Sequence, residues 1–245
     1  MTYPARTGSR PERGQIASRP VLRRYGRCVA LVQSLSALFL FALTLALSAA
    51  TMAQAQTPPR KLVVLGDSLS AGYNLPGSAA FPAVLEQALR QKGIAIEIVN
   101  AGVSGDTAQG GLERLDWSVP DGTDGVILEL GANDALRGLD PATTKKALDA
   151  IISRLKARGI PVLLAGMYAP RNLGAEYVTR FDGLFPQLAE TYGLVLYPFF
   201  LEGIAGDRAL NQADLLHPTA EGVRVIVRNI LPTVERFLAT LPAKP

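Results

Sequence analysis

The stretch Leu62-Val63-Val64-Leu65-Gly66-Asp67-Ser68-Leu69-Ser70 joins an unbroken apolar run to a small polar turn. Four consecutive apolar residues are typical of a short strand that is covered on both faces. The glycine and the aspartate that follow are common turn residues. The stretch therefore predicts a buried parallel strand with the hydroxyl of Ser68 just beyond its carboxyl end.

Apolar runs and helix-period segments alternate in the same way along the rest of the chain. Strands are predicted at 62–65, 94–99, 126–130, 161–166 and 194–197. Helices are predicted at 79–92, from about 107, at 141–158, at 177–192 with an interruption around Gly183 and Pro186, and at 218–240 with a break near Pro232. Val/Ile/Leu-rich strands that alternate with helices predict a parallel sheet with helices on both faces. With right-handed crossovers, this is a three-layer α/β/α fold with a flavodoxin-like sheet of about five strands in the order 2-1-3-4-5.

The first 55 residues have the composition of a secretory signal peptide. Residues 1–27 carry seven arginines against one acid, and residues 28–50 are almost wholly apolar. Ala53-Gln54-Ala55 fits a small-x-small cleavage signal, so we predict cleavage after Ala55, a short lead-in at 56–60 and one domain at 61–245. This predicts an exported protein, periplasmic or secreted. The alternative is an uncleaved N-terminal membrane anchor, because about 20 apolar residues can span a bilayer.

The positive charge of the chain belongs to this leader. Residues 1–55 have a net charge of +6, whereas residues 56–245 hold 18 basic and 20 acidic residues. The later part has no basic stripe with interleaved aromatic residues, and we therefore expect no nucleic-acid partner. One histidine, and no cysteine after Cys28, exclude most zinc sites, and there is no glycine-rich dinucleotide loop. We expect neither a metal nor a cofactor.

Polar residues follow four of the predicted strands. Ser68 comes after the first strand, Ser104-Gly105-Asp106-Thr107 after the second, and Gly131-Ala132-Asn133-Asp134 after the third. Asp214-Leu215-Leu216-His217 comes after the fifth. In the predicted strand order the carboxyl ends of these strands lie at one edge of the sheet, where ligands of such folds bind. These four segments are therefore expected to meet there.

The residue types in these segments are those of a serine hydrolase. A serine hydroxyl becomes an effective nucleophile when a base removes its proton, and His217 is the one imidazole in the chain. Asp214 precedes it by three residues, close enough to bind Nδ1 while Nε2 faces Ser68. The backbone N–H groups of Ser68 and Gly105 and the amide of Asn133 can donate to an oxyanion. We therefore predict Ser68, Asp214 and His217 as catalytic residues and Ser68, Gly105 and Asn133 as the oxyanion hole.

The four segments together resemble the blocks of the SGNH (GDSL) hydrolases. The resemblance spans 61–240 and is greatest to the bacterial periplasmic branch of arylesterases, acyl-thioesterases and lysophospholipases. One departure is Ala132, where that branch often has a second glycine. The resemblance implies a serine esterase that hydrolyses acyl esters or thioesters through an acyl-enzyme on Ser68. Its partners would be small acyl esters or lipids.

Loop residues at the expected rim give the substrate prediction. They are mostly apolar and suit acyl chains or aryl groups; the predicted substrate-binding residues are Leu136, Leu139, Met167, Tyr168, Ala169 and Pro170. Two alternatives remain at this stage. A carbohydrate O-acetylesterase would share the catalytic residues and differ in having a polar pocket. A non-catalytic anion or flavin binder could use the turn after the first strand, but it would leave Asp214, His217 and Asn133 without a role.

Overall fold

The computed structural model describes residues 58–243 together with positions 36, 38, 39 and 41. The chain forms two units, 1–56 and 57–245. In the first unit the four described residues are helical. The rest of the predicted leader, including the cleavage position after Ala55, lies outside the described residues. Within the part that is described, no helix is both long enough and apolar enough to cross a membrane.

The second unit alternates strands and helices from its first strand to its last helix. The strands are β1 (Arg60–Gly66), β2 (Ile96–Gly102), β3 (Gly125–Glu129), β4 (Val162–Ala165) and β5 (Val195–Tyr197). The α-helices are α1 (Ser68–Ala71), α2 (Phe81–Gln91), α3 (Ala108–Glu113), α4 (Leu115–Ser118), α5 (Ala132–Leu136), α6 (Pro141–Ala157), α7 (Ala175–Asp182), α8 (Leu184–Tyr192) and α9 (Ala220–Thr240). Two single turns of 3₁₀ helix are found at Gly77–Ala79 and Arg171–Leu173.

The five strands form one parallel sheet in the order β2-β1-β3-β4-β5. The predicted fold class and strand order are thus confirmed. Leu62 to Leu65 have no exposed surface, because helices cover both faces of the sheet. In the pairing register, Gly66 of β1 lies opposite Gly102 of β2 and Glu129 of β3, so these three strands end at one level.

The helices pack in two groups. Helix α9 contacts α2, whereas α6 contacts α3 and α8. The predicted break at Pro232 is wrong, because α9 is one helix that contains this proline. Proline removes one helical hydrogen bond and disfavours the helix interior, but Ile230 and Val234 on either side of it are fully buried, and their packing holds the helix together. The interruption at Gly183 is present, and Pro186 lies in the first turn of α8, where proline is tolerated.

Candidate active site

The turn after β1 holds Ser68 at the start of a short helix. Asp67 caps this helix, with its Oδ1 accepting the N–H of Leu69 at 3.0 Å. Gly66 allows the turn to approach the neighbouring strand closely, because a Cβ atom there would lie 2.3 Å from Ser70 Oγ and 2.6 Å from Glu129 Oε2. A larger residue at Gly66 would displace the turn that carries Ser68.

The loop after β5 folds the carboxylate of Asp214 onto the ring of His217. Asp214 Oδ1 accepts the backbone N–H groups of Leu216 and His217, each at 3.0 Å, and Oδ2 lies 2.7 Å from His217 Nδ1. The hydrogen bonds from His217 and Leu216 lower the pKa of Asp214 to about 2. The carboxylate is therefore charged at any pH near neutrality and can hold the Nδ1–H tautomer of the imidazole.

His217 also reaches the serine. Its Nε2 lies 2.9 Å from Ser68 Oγ, although 149 residues separate the two in sequence. The ring of Tyr73 packs against the imidazole with the ring centroids 4.4 Å apart. The structure thus brings Ser68, His217 and Asp214 into one chain of hydrogen bonds, as the sequence predicted. Such a chain can remove the hydroxyl proton of Ser68 during attack on a carbonyl carbon.

Asn133 lies in the first turn of α5 and is bonded to Asp67, the residue before Ser68. Its Nδ2 donates to Asp67 Oδ2 at 3.1 Å and to the backbone oxygen of Asp106 at 3.0 Å. Both neighbours are acceptors, so they fix which end of the amide faces them. Both amide hydrogens are used in these contacts. To donate to an oxyanion as well, Nδ2 must share one of these two hydrogens between its present acceptor and the oxyanion.

Gly105 precedes Asp106 in the loop after β2. It has a φ of +86°, a conformation that favours glycine. The guanidinium of Arg137 donates to its carbonyl oxygen at 2.7 Å. Among the described residues, no acceptor binds the backbone N–H of Gly105 or that of Ser68. Both groups can therefore donate to a ligand.

Two buried carboxyl groups, those of Asp67 and Glu129, lie at the turn that carries Ser68. Burial raises the pKa of Asp67 to about 6, although the hydrogen bonds from Leu69 and Asn133 oppose the shift. Burial, together with the negative charge of Asp67, raises the pKa of Glu129 well above its usual value. Glu129 Oε2 accepts the hydroxyl of Ser70 at 2.6 Å, and Oε1 has no partner within the described chain. An unpaired buried oxygen costs least when the carboxyl group is neutral, which agrees with the raised pKa.

Arg114 joins the ends of β1 and β2 beneath the site. It is 6% exposed and donates to Gly66 O at 2.8 Å, to Ala101 O at 2.7 Å and, through Nε, to Asp106 Oδ2 at 2.5 Å. These contacts hold the serine turn and the Gly105 loop at a fixed separation. Arg114 lies in the turn between α3 and α4. It was not predicted from the sequence, because an arginine is usually solvated and no motif marks this one.

Asp134 fixes the same loop from the other side. It is almost fully buried, and its Oδ2 accepts the N–H of Ala108 at 2.9 Å, while its Oδ1 accepts the hydroxyl of Thr144 at 3.0 Å. Because Asp134 follows Asn133, these bonds tie the start of α3 to the segment that carries the amide. The Asn-Asp pair in the sequence thus contains one residue that faces the site and one that anchors it.

An apolar cavity of about 510 Å³ opens beside Ser68 and His217. Five of the six predicted substrate-binding residues line it: Leu136, Met167, Tyr168, Ala169 and Pro170. Leu139 does not line the cavity; its carbonyl oxygen accepts the hydroxyl of Tyr177 instead. Phe199 and Leu201 after β5 also line the cavity. They were not predicted, because the predicted rim was confined to the loops after β3 and β4.

One wall of the cavity is an aromatic pair. The rings of Tyr168 and Phe199 stack with their centroids 4.5 Å apart, and the guanidinium of Arg171 lies 5.4 Å from the Tyr168 ring. Arg171 also forms an ion pair with Asp182 at 2.6 Å. Arg171 also lines the cavity, so this wall carries one positive charge, which is paired with Asp182. No group of three or more potential metal-ligating side chains is found in the described part of the chain.

Comparison with known proteins places this geometry in a family. Residues 64–225 match the model of the GDSL-like Lipase/Acylhydrolase family. The chain belongs to this family. The resemblance that the sequence indicated is thereby confirmed, and the protein is a carboxylic ester hydrolase, a serine esterase with the α/β fold of the SGNH hydrolases.

Individual relatives agree with this assignment. The chain is 40% identical to an arylesterase of Vibrio mimicus over 71% of this chain and 86% of the relative. It is 39% identical to the thioesterase 1/protease 1/lysophospholipase L1 of Escherichia coli K12 over 65% of this chain and 76% of the relative. The crystal structure of AlinE4, an SGNH-hydrolase family esterase, has 47% sequence identity and a TM-score of 0.63, and the match covers 77% of this chain and all of that one.

Proposed function

We propose that Ser68 is the nucleophile of this esterase, that His217 is its general base and acid, and that Asp214 orients the imidazole. The observation that carries the proposal is the unbroken path from Asp214 Oδ2 to His217 Nδ1 at 2.7 Å and from His217 Nε2 to Ser68 Oγ at 2.9 Å, at the mouth of an apolar cavity. Removal of the hydroxyl proton by neutral imidazole leaves an alkoxide that attacks the carbonyl carbon. The charged Asp214 then stabilises the imidazolium.

The oxyanion that forms in this attack would be held by Ser68 N–H, Gly105 N–H and Asn133 Nδ2. Two features support this role. The two backbone N–H groups have no acceptor among the described residues, and the Asn133 amide is held beside them by Asp67 and Asp106. Donors that are fixed in advance stabilise the developing charge without reorganisation.

The lining of the cavity supports acyl esters or thioesters as substrates. Aliphatic and aromatic side chains make up most of the surface around Ser68, whereas a sugar O-acetyl ester would need hydrogen-bonding groups for its hydroxyls. Two relatives are named an arylesterase and a thioesterase 1/protease 1/lysophospholipase L1, and the ester and lipid substrates in these names agree with an apolar acyl pocket. The substrates are thus small esters or lipids with apolar acyl chains.

The Ser68→Ala variant tests the assignment. It removes the nucleophile and little packing, so the fold should be retained while the hydrolysis of p-nitrophenyl butyrate falls by about 10⁴-fold or more. A fluorophosphonate should label wild type on Ser68 and leave the variant unlabelled. The nearby Ser70→Ala variant is the matched control for labelling, because Ser70 is buried and bonded to Glu129. Activity of Ser68→Ala within tenfold of wild type would exclude Ser68 as the nucleophile.

We further propose that residues 1–55 direct export and are removed after Ala55. The basic segment followed by an apolar run, and the domain that begins shortly afterwards with β1, support this division. Mass spectrometry of the protein expressed from the full gene in a bacterium should find a periplasmic or secreted form that starts at Gln56. A membrane-bound form that retains the leader would show the uncleaved anchor instead.

A further inference from the structure

The loop from Asp214 to His217 contains an unusual backbone conformation. Among the described residues, two besides glycine have a positive φ, Asn74 at +58° and Leu215 at +59°. Asparagine tolerates this left-handed conformation, whereas leucine is strained there because its Cβ crowds the following carbonyl oxygen. The tight wrap of the loop around Asp214 Oδ1, which binds the N–H groups of Leu216 and His217, accompanies this conformation at position 215.

The side chain of Leu215 does not compensate for the strain by packing in the core. It is 42% exposed, and that of Leu216 is 46% exposed. Both leucines line the same cavity as Ser68 and His217. A glycine would adopt the backbone conformation without strain, and strained residues that persist cluster at sites of function. The exposed side chain of Leu215 is therefore available to a ligand in the cavity.

The chemistry of the site indicates which part of a substrate lies there. His217 Nε2 takes the proton of Ser68 and must give it to the departing oxygen or sulfur atom, so that atom lies within hydrogen-bond reach of Nε2. The carbonyl oxygen points the other way, towards Gly105 and Asn133. The rest of the leaving group therefore extends past the residues that flank the imidazole.

We propose that Leu215 and Leu216 form the subsite for the leaving group, and that this subsite selects esters of apolar alcohols. The inference rests on the proposed function, because it needs Ser68 as nucleophile and His217 as acid. Attack by Ser68 Oγ forms the new ester bond, and cleavage of the bond from the carbonyl carbon to the alkoxy oxygen releases the alcohol, which leaves with the proton from His217. Water then hydrolyses the acyl-enzyme, and in this second half the leaving group is absent.

This difference between the two halves gives the test. Methyl, butyl and hexyl butyrate share one acyl-enzyme and differ only in the apolar length of the alcohol. In wild type, kcat/KM should rise along this series. In Leu215→Gly the ratio of kcat/KM for the hexyl ester to that for the methyl ester should fall about 3- to 10-fold, the loss of part of an apolar contact. The deacylation rate of the butyryl-enzyme, measured in a single turnover, should stay as in wild type.

The choice of variants keeps folding separate from selectivity. Leu215→Gly relieves the left-handed strain, so its melting temperature should not fall below that of wild type. Leu215→Asn also suits this conformation and removes the apolar side chain, so it should reproduce the loss of selectivity. Leu216→Ala should lower the same ratio. Asn74→Gly makes the matched backbone change at a residue that does not line the cavity, and it should leave the ratio unchanged.

The outcomes are distinguishable. A hexyl-to-methyl ratio in Leu215→Gly within twofold of wild type overturns the leaving-group subsite. Leu215→Gly could instead change the selectivity among methyl esters that differ in the length of the acyl chain, and also alter the deacylation rate. That result overturns the leaving-group subsite as well and assigns the leucines to the acyl side. If wild type hydrolyses none of the esters and takes up no fluorophosphonate on Ser68, the proposed function fails instead.

Discussion

Ser68 lies between two aspartates whose surroundings have opposite effects on them. On the side of His217, the open side, Asp214 is 39% exposed in its side chain and accepts three hydrogen bonds, which lower its pKa to about 2. On the side of Asn133, the closed side, Asp67 is fully buried, and burial raises its pKa to about 6. One carboxylate is easily kept charged and holds the base; the other is charged at neutral pH only at a cost to the folded protein, and it holds the Asn133 amide.

The comparison shows how one residue type serves two purposes in one site. The open side carries the groups that exchange protons, where the half-exposed Asp214–His217 loop can reach both substrate and solvent. The closed side carries fixed donors, whose value depends on their not moving. Glu129 and Arg114 extend the closed side: neither contacts the cavity, and both bind the turns that carry the donors.

The largest expected effect comes from breaking the open side. His217→Ala should lower kcat by about 10⁴-fold or more, because no other imidazole is present to replace it. The matched change on the closed side is Glu129→Gln, which resembles the neutral form of a buried carboxyl group. Steady-state ester hydrolysis by this variant should stay within tenfold of wild type. Equal losses in the two variants would contradict the division of the site into two sides.

A smaller effect is expected from the donors on the closed side. Asn133→Ala should lower kcat by about 10²- to 10³-fold with little change in KM, because its bond strengthens as charge develops. Asp67→Asn should lower kcat less, since Asn133 keeps its bond to Asp106 O. If Asp67 acts through Asn133, Asp67→Asn should add little in the Asn133→Ala background. Independent, multiplying losses in this double-mutant cycle would show that Asp67 acts on another group.

The smallest expected effect is on stability, and its sign differs between the two aspartates. Folded Asp67 holds its proton up to about pH 6, whereas an unfolded chain loses it near the ordinary value of 3.8. Between these values the folded protein binds more protons, so the free energy of unfolding falls as the pH rises. Glu129 acts in the same direction. Asp67→Asn should therefore make this fall shallower, as measured by urea unfolding at about pH 4.5 and about pH 7.5.

Asp214→Asn is the control for this experiment. A lowered pKa stabilises the folded protein above 3.8, and this contribution is lost only as the pH falls towards 2. Within the measured window Asp214 is charged in both the folded and the unfolded chain. The pH dependence of Asp214→Asn should therefore match that of wild type. A wild-type stability that rises from about pH 4.5 to about pH 7.5 would contradict the buried, high-pKa state of Asp67.

Much of this arrangement could be predicted from the sequence because it depends on short segments. The alternation of strands and helices predicted a doubly wound parallel sheet, for which the flavodoxin-like strand order was expected, and the spacing of Asp214 and His217 indicated a carboxylate on Nδ1. Arg114 could not be recognised, since its role depends on carbonyl oxygens of two other strands that only the folded sheet brings together. The partner of Glu129 could not be predicted either, because Ser70 lies in α1, directly after β1, and far from Glu129 in sequence.

Other departures have local causes that a pattern does not contain. Pro232 predicted a break, but burial on both sides of it outweighs one missing helical hydrogen bond. Leu139 was placed at the rim by its apolar character, although it does not line the cavity. The left-handed conformation of Leu215 gave no signal, because leucine is rare in that region and nothing in its neighbours requires it.

The parallel sheet also determines at which end of the domain a fusion partner or a solid support can be attached. Arg60 begins β1 at the edge of the sheet opposite the site, and its Nη1 donates to the carbonyl oxygen of Pro242 at 2.9 Å. The seven residues of β1 span about 20 Å between this point and the turn of Ser68. Both described ends of the domain thus lie at the pole away from the cavity mouth. A fusion partner or a solid support joined at either end would leave the mouth facing free solution.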